Sequence, residues 1–410
     1  MYASLPAYQQ QKVFQKTPPN TRKVVLATNI AETSITIPGA RYVIDTGLCK
    51  EKAYLARDRG SGIDTLLTKP ISRSSAMQRA GRAGREGEGW CYRLYSEKTY
   101  LALPESTIPE IQRCSLTSGI LQLKALGLNP EEVDFMDSPD PDAVRASLFI
   151  LHGLGALSPA DGTISDLGKR ISMLPLDPPL AAMVVLSGEH GCTREVLDIV
   201  SVLSSSAAVF FDASSPDARE SAAEARAKFK HASGDHMTLR NVLVAYEQVC
   251  TERDQGRPKD WCARQFVNER ALREARDIRK QLEGVCERLE LDIAGSCGDD
   301  SDPVLRCVLR GSFLNSAMLQ PDGSYKQTIG SQKVKIHPSS SMIDRKVPAV
   351  VYNELVSRLL ESSCRVIDGG VRCLQTTHML ASFHRYHAAS SSSCPCSKSL
   401  PRSWDVCMSS

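Results

Sequence analysis

The sequence has no apolar run long enough to cross a membrane and no leader for secretion. A transmembrane helix needs about 20 predominantly apolar residues, and no such stretch occurs among the 410 residues. Met1–Pro6 lacks the basic start and the following apolar run of a secretory signal. The composition, 42% hydrophobic and 24% charged, is that of an ordinary globular protein. We therefore expect an intracellular protein without a membrane span.

Cysteine pairs at metal-ligand spacing are also missing. The 14 cysteines are mostly isolated, and the only close pair, Cys394 and Cys396, lies in a Ser-rich tail. A structural zinc site usually takes two such pairs, so a zinc or thiol-redox protein is disfavoured, and reduced, mostly buried thiols are expected. A strong charge of one sign is missing too, because the net charge is only +3. Any binding of nucleic acid must therefore come from local patches.

The chain is long enough for several domains, because single cores rarely grow past about 250 to 300 residues. In its first quarter, short apolar runs at Val24–Ala27 and Tyr42–Ile44 predict buried parallel strands and an α/β architecture. Apolar residues then recur at helical spacing in 116–123 and 144–151, which predicts a small helical domain. The Asp161–Gly162 turn indicates a short wing on that domain.

A helical bundle is predicted between about residues 180 and 290. Its clearest helix carries one apolar face, formed by Ala271, Ala275, Ile278, Leu282, Val285 and Leu289. Another face of the same helix carries Arg273, Arg276 and Lys280 among acidic neighbours. A solvated, ion-paired surface is favoured for this face, and contact with RNA phosphates is the alternative.

The last third of the chain changes to a β pattern after the acidic linker 298–303. An Asp322–Gly323 turn and the alternating segment Lys333–His337 predict hairpins of a small barrel. The tail from Tyr386 contains Ser390–Ser393 in a row and little periodicity, so it is expected to be disordered.

The sharpest chemical feature is the octet Gln78–Arg85, in which three arginines are separated by small residues. Guanidinium groups stay charged and match phosphate oxygens, and this suits them to stabilise charge that develops on a transferring phosphoryl group. An exposed Arg/Gly-rich turn is the alternative if the octet stood alone. A second segment, Ala27–Ser34, follows the first predicted strand directly and places hydroxyl and amide side chains at the edge where open α/β sheets bind ligands.

Together these two segments resemble motifs V and VI of superfamily 2 helicases, in the form typical of the DEAH-box RNA helicases. Segments such as Ile108–Arg113, Leu174–Pro178 and Ile336–Ser340 resemble the C-terminal region of that family, and about the first 360 residues are covered. Arg41–Gly47 and Leu319–Gly323 are most similar to the nucleolar member. The resemblance implies a multidomain α/β plus α plus β fold: a second RecA-like domain at 1–103, truncated at its N-terminus, a winged helix at 104–178, a helical ratchet bundle at 179–296, an OB-like barrel at 303–385, and the tail 386–410.

The resemblance also implies roles for individual residues. Gln78 would orient the attacking water, Arg82 and Arg85 would be arginine fingers on the γ-phosphate, and Asn29 would bridge to the nucleotide, whereas Arg79 is expected to be structural. The segment Leu48–Lys69 would be the strand-separating β-hairpin. The expected RNA-binding residues are Thr28, Thr33, Ser34, Lys50, Lys52, Ser339 and Ser340. For Ser339 and Ser340, a plain hairpin end is an equally good interpretation.

The chain departs from a complete helicase in lacking the phosphate loop, Gly-x4-Gly-Lys followed by Ser or Thr, and the acidic metal ligands. Catalysis would use ATP and Mg²⁺, with the metal ligands in an N-terminal lobe that is absent here. The expected partners are single-stranded RNA and an activator protein on the OB-like barrel, in a nuclear or nucleolar setting, with the cytoplasm as the alternative. A truncated product or partial gene model is expected, inactive as an ATPase alone. An ATP-independent RNA-binding or adaptor protein is the alternative function.

Overall fold

The computed structural model of the chain describes residues 10–33, 35–56, 62–210, 216–252, 257–343, 345–353 and 380–382. They divide into two compact units. The first lies within Met1–Leu55, Gly62–Ser115 and Phe135–Asp140, and the second lies within Ala56–Ser61, Leu116–Asp134 and Pro141–Ser410. In the described part of the chain, no helix is both long enough and apolar enough to span a membrane.

The first unit combines a small parallel sheet, a β-hairpin and three helices. Its elements are α1 (Ile30–Thr33), β1 (Tyr42–Asp45), β2 (Leu48–Ala56), β3 (Gly62–Pro70), α2 (Arg73–Ala80), β4 (Trp90–Arg93) and α3 (Glu97–Ala102). β1 runs parallel to β4, with Tyr42 opposite Trp90 and Asp45 opposite Arg93. β2 pairs with β3 in a separate two-stranded sheet, which confirms the predicted hairpin. The predicted α/β character of this region is therefore confirmed.

The prediction of a buried strand at Val24–Ala27 is wrong. The segment belongs to no strand of the described sheets, and Val24 and Leu26 are 81% and 82% exposed. A continuous apolar run is buried as a strand only where neighbouring strands and covering helices enclose it. The described parallel sheet consists of β1 and β4 alone. The strand predicted at Tyr42–Ile44 exists as β1, but Tyr42 and Ile44 are also exposed, for the same reason.

The second unit begins with three helices and a short wing. The helices predicted around 116–123 and 144–151 are α4 (Thr117–Ala125) and α5 (Pro141–Gly153), and α6 (Asp166–Ser172) follows. Between α5 and α6 an antiparallel bridge joins Leu157 to Ile164, and Gly162 adopts a left-handed φ of +68°. Only glycine takes this conformation without strain. The turn predicted for the wing is thus confirmed.

A helical bundle forms the centre of the second unit. It contains α7 (Pro178–Ser187), α8 (Thr193–Leu203), α9 (Pro216–Ala227), α10 (Asp235–Thr251), α11 (Pro258–Arg264), α12 (Glu269–Arg288) and α13 (Asp302–Gly311). The predicted apolar face of α12 is confirmed, since Ala271, Ala275 and Leu282 are buried. On its charged face Arg273 pairs with Glu269 at 2.7 Å. Ion pairing is therefore present on this face, as the favoured interpretation predicts.

The C-terminal part of the second unit is an antiparallel sheet. Its strands, β5 (Ser316–Leu319), β6 (Tyr325–Gln327), β7 (Lys333–Val334), β8 (Ala349–Tyr352) and β9 (Leu380–Ser382), lie in the order β7-β6-β5-β8-β9. Gly323, with a φ of +78°, makes the predicted turn between β5 and β6. β7 and β9 are the two edges, so the described strands form an open sheet and no closed barrel. The residues of the predicted tail from Tyr386 lie outside the described part.

The cysteines of the described residues are all free thiols. Cys192, Cys262, Cys286 and Cys307 are buried, whereas the other five are partly exposed. The reduced state stays a prediction, and among these nine cysteines the expectation that most are buried is wrong. Cys394 and Cys396 lie outside the described residues.

Candidate ATPase half-site and RNA-contact segments

The finger loop follows α2 and is held by a close backbone approach. The Ser72 hydroxyl caps the start of α2 by accepting from the Ser75 amide at 3.2 Å. After the helix, the chain passes through Arg82 and Arg85 and returns to β4 through Gly89. A Cβ at Gly89 would lie 2.3 Å from the Ala83 carbonyl oxygen. Only glycine fits there, and this contact fixes the backbone of the loop that carries both proposed fingers.

Arg82 has two hydrogen-bond donors without a partner in the part of the chain that the structure describes. Its Nε and Nη1 atoms are buried and, within the described residues, have no hydrogen-bond partner. Burial, followed by the neighbouring charge of Arg85, lowers the pKa of Arg82 below its usual value. Buried polar atoms normally have a hydrogen-bond partner, and these two nitrogens are exceptions. An anionic oxygen would satisfy these donors, so the residues present fit a phosphate group.

The other two residues predicted for catalysis are exposed. Gln78 lies on the outer surface of α2. Arg85 donates to the Thr36 hydroxyl at 2.8 Å, and nearby the Gly39 amide donates to Glu86 at 2.9 Å. These bonds connect the finger loop to the segment that follows α1. Gln78, Arg82 and Arg85 thus belong to one helix and the loop after it.

Arg79 is the connecting residue of the site. Its Nε donates to Glu32 at 2.9 Å, and its Nη1 donates to Asp45 at 2.8 Å and to the Leu48 carbonyl at 3.1 Å. Burial would lower the pKa of Arg79, but the two carboxylates outweigh it and raise the pKa. The guanidinium fork therefore joins α2 to α1, β1 and the start of β2. This geometry agrees with the structural role expected for Arg79.

Asp45 is the buried acceptor of this network. It is 2% exposed and accepts from the Gly47 amide at 3.0 Å, from Arg79, and from the Tyr95 hydroxyl at 2.8 Å. Burial would raise the pKa of Asp45, but these hydrogen bonds hold it below its usual value. The pKa of Tyr95 rises to about 12, because the phenol is buried and its proton is shared with Asp45. The carboxylate therefore accepts its hydrogen bonds from groups within the protein.

The segment predicted to touch RNA begins at α1. Thr28, Asn29 and Thr33 are exposed, and the Asn29 carbonyl accepts from the Glu32 amide at 2.9 Å, which closes the first turn of the helix. Ser34 lies outside the described residues. The structure thus presents Thr28, Asn29 and Thr33 at the surface, directly connected to α2 through Glu32.

The base of the hairpin lies close to the same network in sequence. Lys50 is exposed on β2, and Lys52 belongs to the same strand with its side chain outside the described part. Between them, Glu51 accepts from Arg113 at 3.1 Å and also pairs with Lys69. These ion pairs fasten the base of the hairpin to the body of the first unit.

Ser339 and Ser340 have different environments in the second unit. Ser339 is exposed, and its hydroxyl lies 2.7 Å from His337 Nδ1. Ser340 is 4% exposed and donates to Asp235, the first residue of α10. The hydroxyl of Ser340 is therefore occupied within the protein, whereas that of Ser339 faces the surface.

Sequence reasoning missed the roles of Glu32, Asp45 and Tyr95. Asp45 lies 34 residues and Glu32 lies 47 residues before Arg79, so no periodic pattern relates them. The position of Asp45 was a usable signal, because it ends a parallel strand at the edge where α/β sheets place polar groups. That Asp45 pairs with Arg79 follows only from the packing of α2 against that edge.

Three domain profiles match the chain. The helicase conserved C-terminal domain matches residues 1–87. The winged-helix part of the helicase associated domain HA2 matches residues 147–176, and its ratchet-like part matches residues 177–239.

Two curated relatives match most of the chain. It is 42% identical over 359 residues to ATP-dependent RNA helicase DHX33 of Homo sapiens and to the protein of the same name from Mus musculus. The alignments cover 87% of this chain, and 49% and 50% of the two relatives. The chain therefore spans about half the length of the curated relatives that it matches.

A helicase C-terminal domain followed by winged-helix and ratchet-like associated domains defines the C-terminal part of a helicase. The arginine-bearing loop after α2 and its orphaned donors belong to this domain. Within the class, the chain belongs to the DEAH-box RNA helicases and corresponds to their C-terminal half.

Proposed function

We propose that the whole protein is an ATP-dependent RNA helicase, in which this chain supplies the arginine-finger half of the ATPase site. The observation that carries the proposal is a pair of buried Arg82 nitrogens that have no partner among the described residues, next to the exposed Arg85. Two cations on a glycine-fixed loop suit the charge that develops on a γ-phosphoryl group. The identity with named ATP-dependent RNA helicases supports the same function.

Each polar residue of the half-site has a proposed role. Arg82 and Arg85 bind the γ-phosphate oxygens, Gln78 orients the attacking water, and Asn29 reaches toward the nucleotide. Arginine is suited to this task because its guanidinium remains cationic and matches phosphate geometry. Binding through Arg82 Nε and Nη1 would break no hydrogen bond to the described residues, whereas the Nη1 of Arg85 already donates to Thr36.

Magnesium ligands are proposed to lie outside this chain. Within the described residues, no group of three or more His, Cys, Asp or Glu side chains could hold a metal ion. When bound, Mg²⁺ would neutralise charge on the ATP phosphates. The phosphate loop and acidic ligands would come from an N-terminal lobe, so we expect the isolated chain to be inactive as an ATPase.

Single-stranded RNA is the proposed substrate of the whole protein. The proposed contacts are Thr28, Thr33, Ser34, Lys50, Lys52, Ser339 and Ser340, with the hairpin β2–β3 separating strands. Exposure of Thr28, Thr33, Lys50 and Ser339 supports their part in this set. For Ser340 the support is weaker, because its hydroxyl is bonded to Asp235.

Further details of the architecture are proposals as well. The domain limits proposed are 1–103, 104–178, 179–296, 303–385 and 386–410, and the winged-helix and ratchet-like matches are compatible with them. The antiparallel sheet β5–β9 is proposed as the described part of an OB-like barrel on which an activator protein docks. We propose a nuclear or nucleolar location for the protein.

The test of the ATPase role is Arg82→Ala in the full-length protein, with RNA-stimulated ATP hydrolysis as the readout. Arginine fingers contribute about 10³- to 10⁵-fold to kcat, so a fall of at least about 10³-fold is expected, with a smaller change in KM. Arg22→Ala removes an exposed arginine from the same unit and serves as the matched control. Normal kcat in Arg82→Ala would refute the role.

The competing function is an ATP-independent RNA-binding or adaptor protein, in which the finger loop is a relic. Sequencing the full transcript separates the two. An in-frame upstream phosphate loop and acidic box support the helicase, whereas their absence from the mature message supports the RNA-binding platform.

A further inference from the structure

One side chain joins the three segments that the proposed function assigns to different tasks. Arg79 belongs to α2 and precedes the finger Arg82 by three residues. It donates to Glu32 in the RNA-contact segment and to the Leu48 carbonyl at the start of the strand-separating hairpin. It also donates to Asp45, which ends the central strand β1. A displacement of either RNA-facing segment must therefore move Arg79 or break one of its bonds.

The network is rigid because its centre is buried. Asp45 is 2% exposed, and the side chain of Arg79 is 15% exposed. Breaking a buried ion pair by moving one partner leaves an uncompensated charge, which costs several kcal/mol. Gly47 has a φ of +75°, and a Cβ there would lie 2.7 Å from the ring of Tyr95, the third partner of Asp45. The chain between β1 and the hairpin is therefore packed directly on the network.

We propose that Arg79 and Asp45 are positioning residues that make the placement of the arginine fingers depend on RNA contact. When RNA holds Thr28–Thr33 and the base of the hairpin, Glu32 and Leu48 hold Arg79, and α2 presents Arg82 toward the γ-phosphate. Because the network is rigid, a displacement of Glu32 or Leu48 that accompanies RNA binding or release is transmitted through Arg79 to α2. This inference rests on the proposed function and adds to it a route by which RNA stimulates hydrolysis.

The test compares Asp45→Asn and Arg79→Lys in the full-length protein. Its readout is the stimulation ratio, defined as kcat with saturating single-stranded RNA divided by kcat without RNA. Coupling energies between sites usually correspond to about 5- to 150-fold, so we expect the ratio to fall about tenfold or more in both variants. Lysine keeps the charge of Arg79 but loses the planar fork that reaches two carboxylates, so it should not rescue the ratio.

The stimulation ratio separates coupling from simple damage. A variant that is partly unfolded loses both rates by the same factor, and its ratio stays at the wild-type value. Arg22→Lys is the matched control and should keep the ratio. If either buried variant fails to fold, Tyr95→Phe removes one hydrogen bond to Asp45 without changing charge, and its ratio should fall at least about threefold.

Each outcome decides the inference. A reduced ratio in the folded variants supports it, and rates that fall in parallel, or a normal ratio in Tyr95→Phe, overturn it while leaving the helicase function intact. If RNA does not stimulate ATP hydrolysis by the wild-type protein, both the proposed function and the positioning role of Arg79 and Asp45 are overturned.

Discussion

Replacing Asp198 by asparagine should change how the stability of the chain depends on pH. Asp198 lies on α8, is 1% exposed, and is 2.6 Å from Arg279 Nη1 and 3.4 Å from Arg240 Nε. Burial outweighs these two cations and raises the pKa of Asp198 from its usual 3.8 to about 6. The folded state therefore holds this proton more tightly than the unfolded state does.

The sign of the effect follows from proton linkage. Stability from a raised carboxyl pKa is fully present below the unfolded value and is lost as the pH rises through the folded value. Between the unfolded pKa of 3.8 and the folded pKa of about 6, the loss of stability is about 3 kcal/mol, at 1.36 kcal/mol per pH unit. About half of this loss falls between about pH 5 and about pH 7.5.

The assay is urea unfolding of the wild type and Asp198→Asn at these two pH values. The destabilisation caused by the substitution should be smaller by about 1 to 2 kcal/mol at the higher pH, because only the wild type loses the proton-linked contribution to stability. The exposed Asp217→Asn is the matched control. A difference that stays constant would refute the raised pKa. A difference that grows with pH would mean that Arg279 and Arg240 outweigh burial.

Two further substitutions test the packing of each unit. Gly89→Ala should destabilise the first unit by about 1 to 3 kcal/mol in urea unfolding, because the new Cβ meets the Ala83 carbonyl. Gly84→Ala is the control and should have little effect, because Gly84 has open space around it. Asp235→Ala should cost about 2 to 4 kcal/mol, because Ser340 and the Ser341 amide lose their carboxylate acceptor. Faster hydrogen exchange of the Ser341 amide would report this loss, and unchanged exchange would contradict it.

Local patterns in the sequence determined several elements of this protein. The apolar face of α12 follows from side chains that repeat every three to four residues, and Ala271 and Leu282 are buried accordingly. The turns at Gly162 and Gly323 follow from a backbone conformation that glycine adopts without strain. The arginine loop is one short segment, and the family resemblance rests on it together with Ala27–Ser34 and other short segments. Such features depend on residues that are close in the chain, so the sequence alone was sufficient to predict them.

Tertiary packing decided the rest. Val24–Ala27 has the composition of a buried strand but is exposed, because burial depends on neighbouring strands that the segment itself does not encode. The partners of Arg79 lie 34 and 47 residues away, and only the packing of α2 against β1 selects Asp45 and Glu32. Ion pairs between distant segments carry no periodic signal, because their geometry arises only when the folded elements bring the charges together.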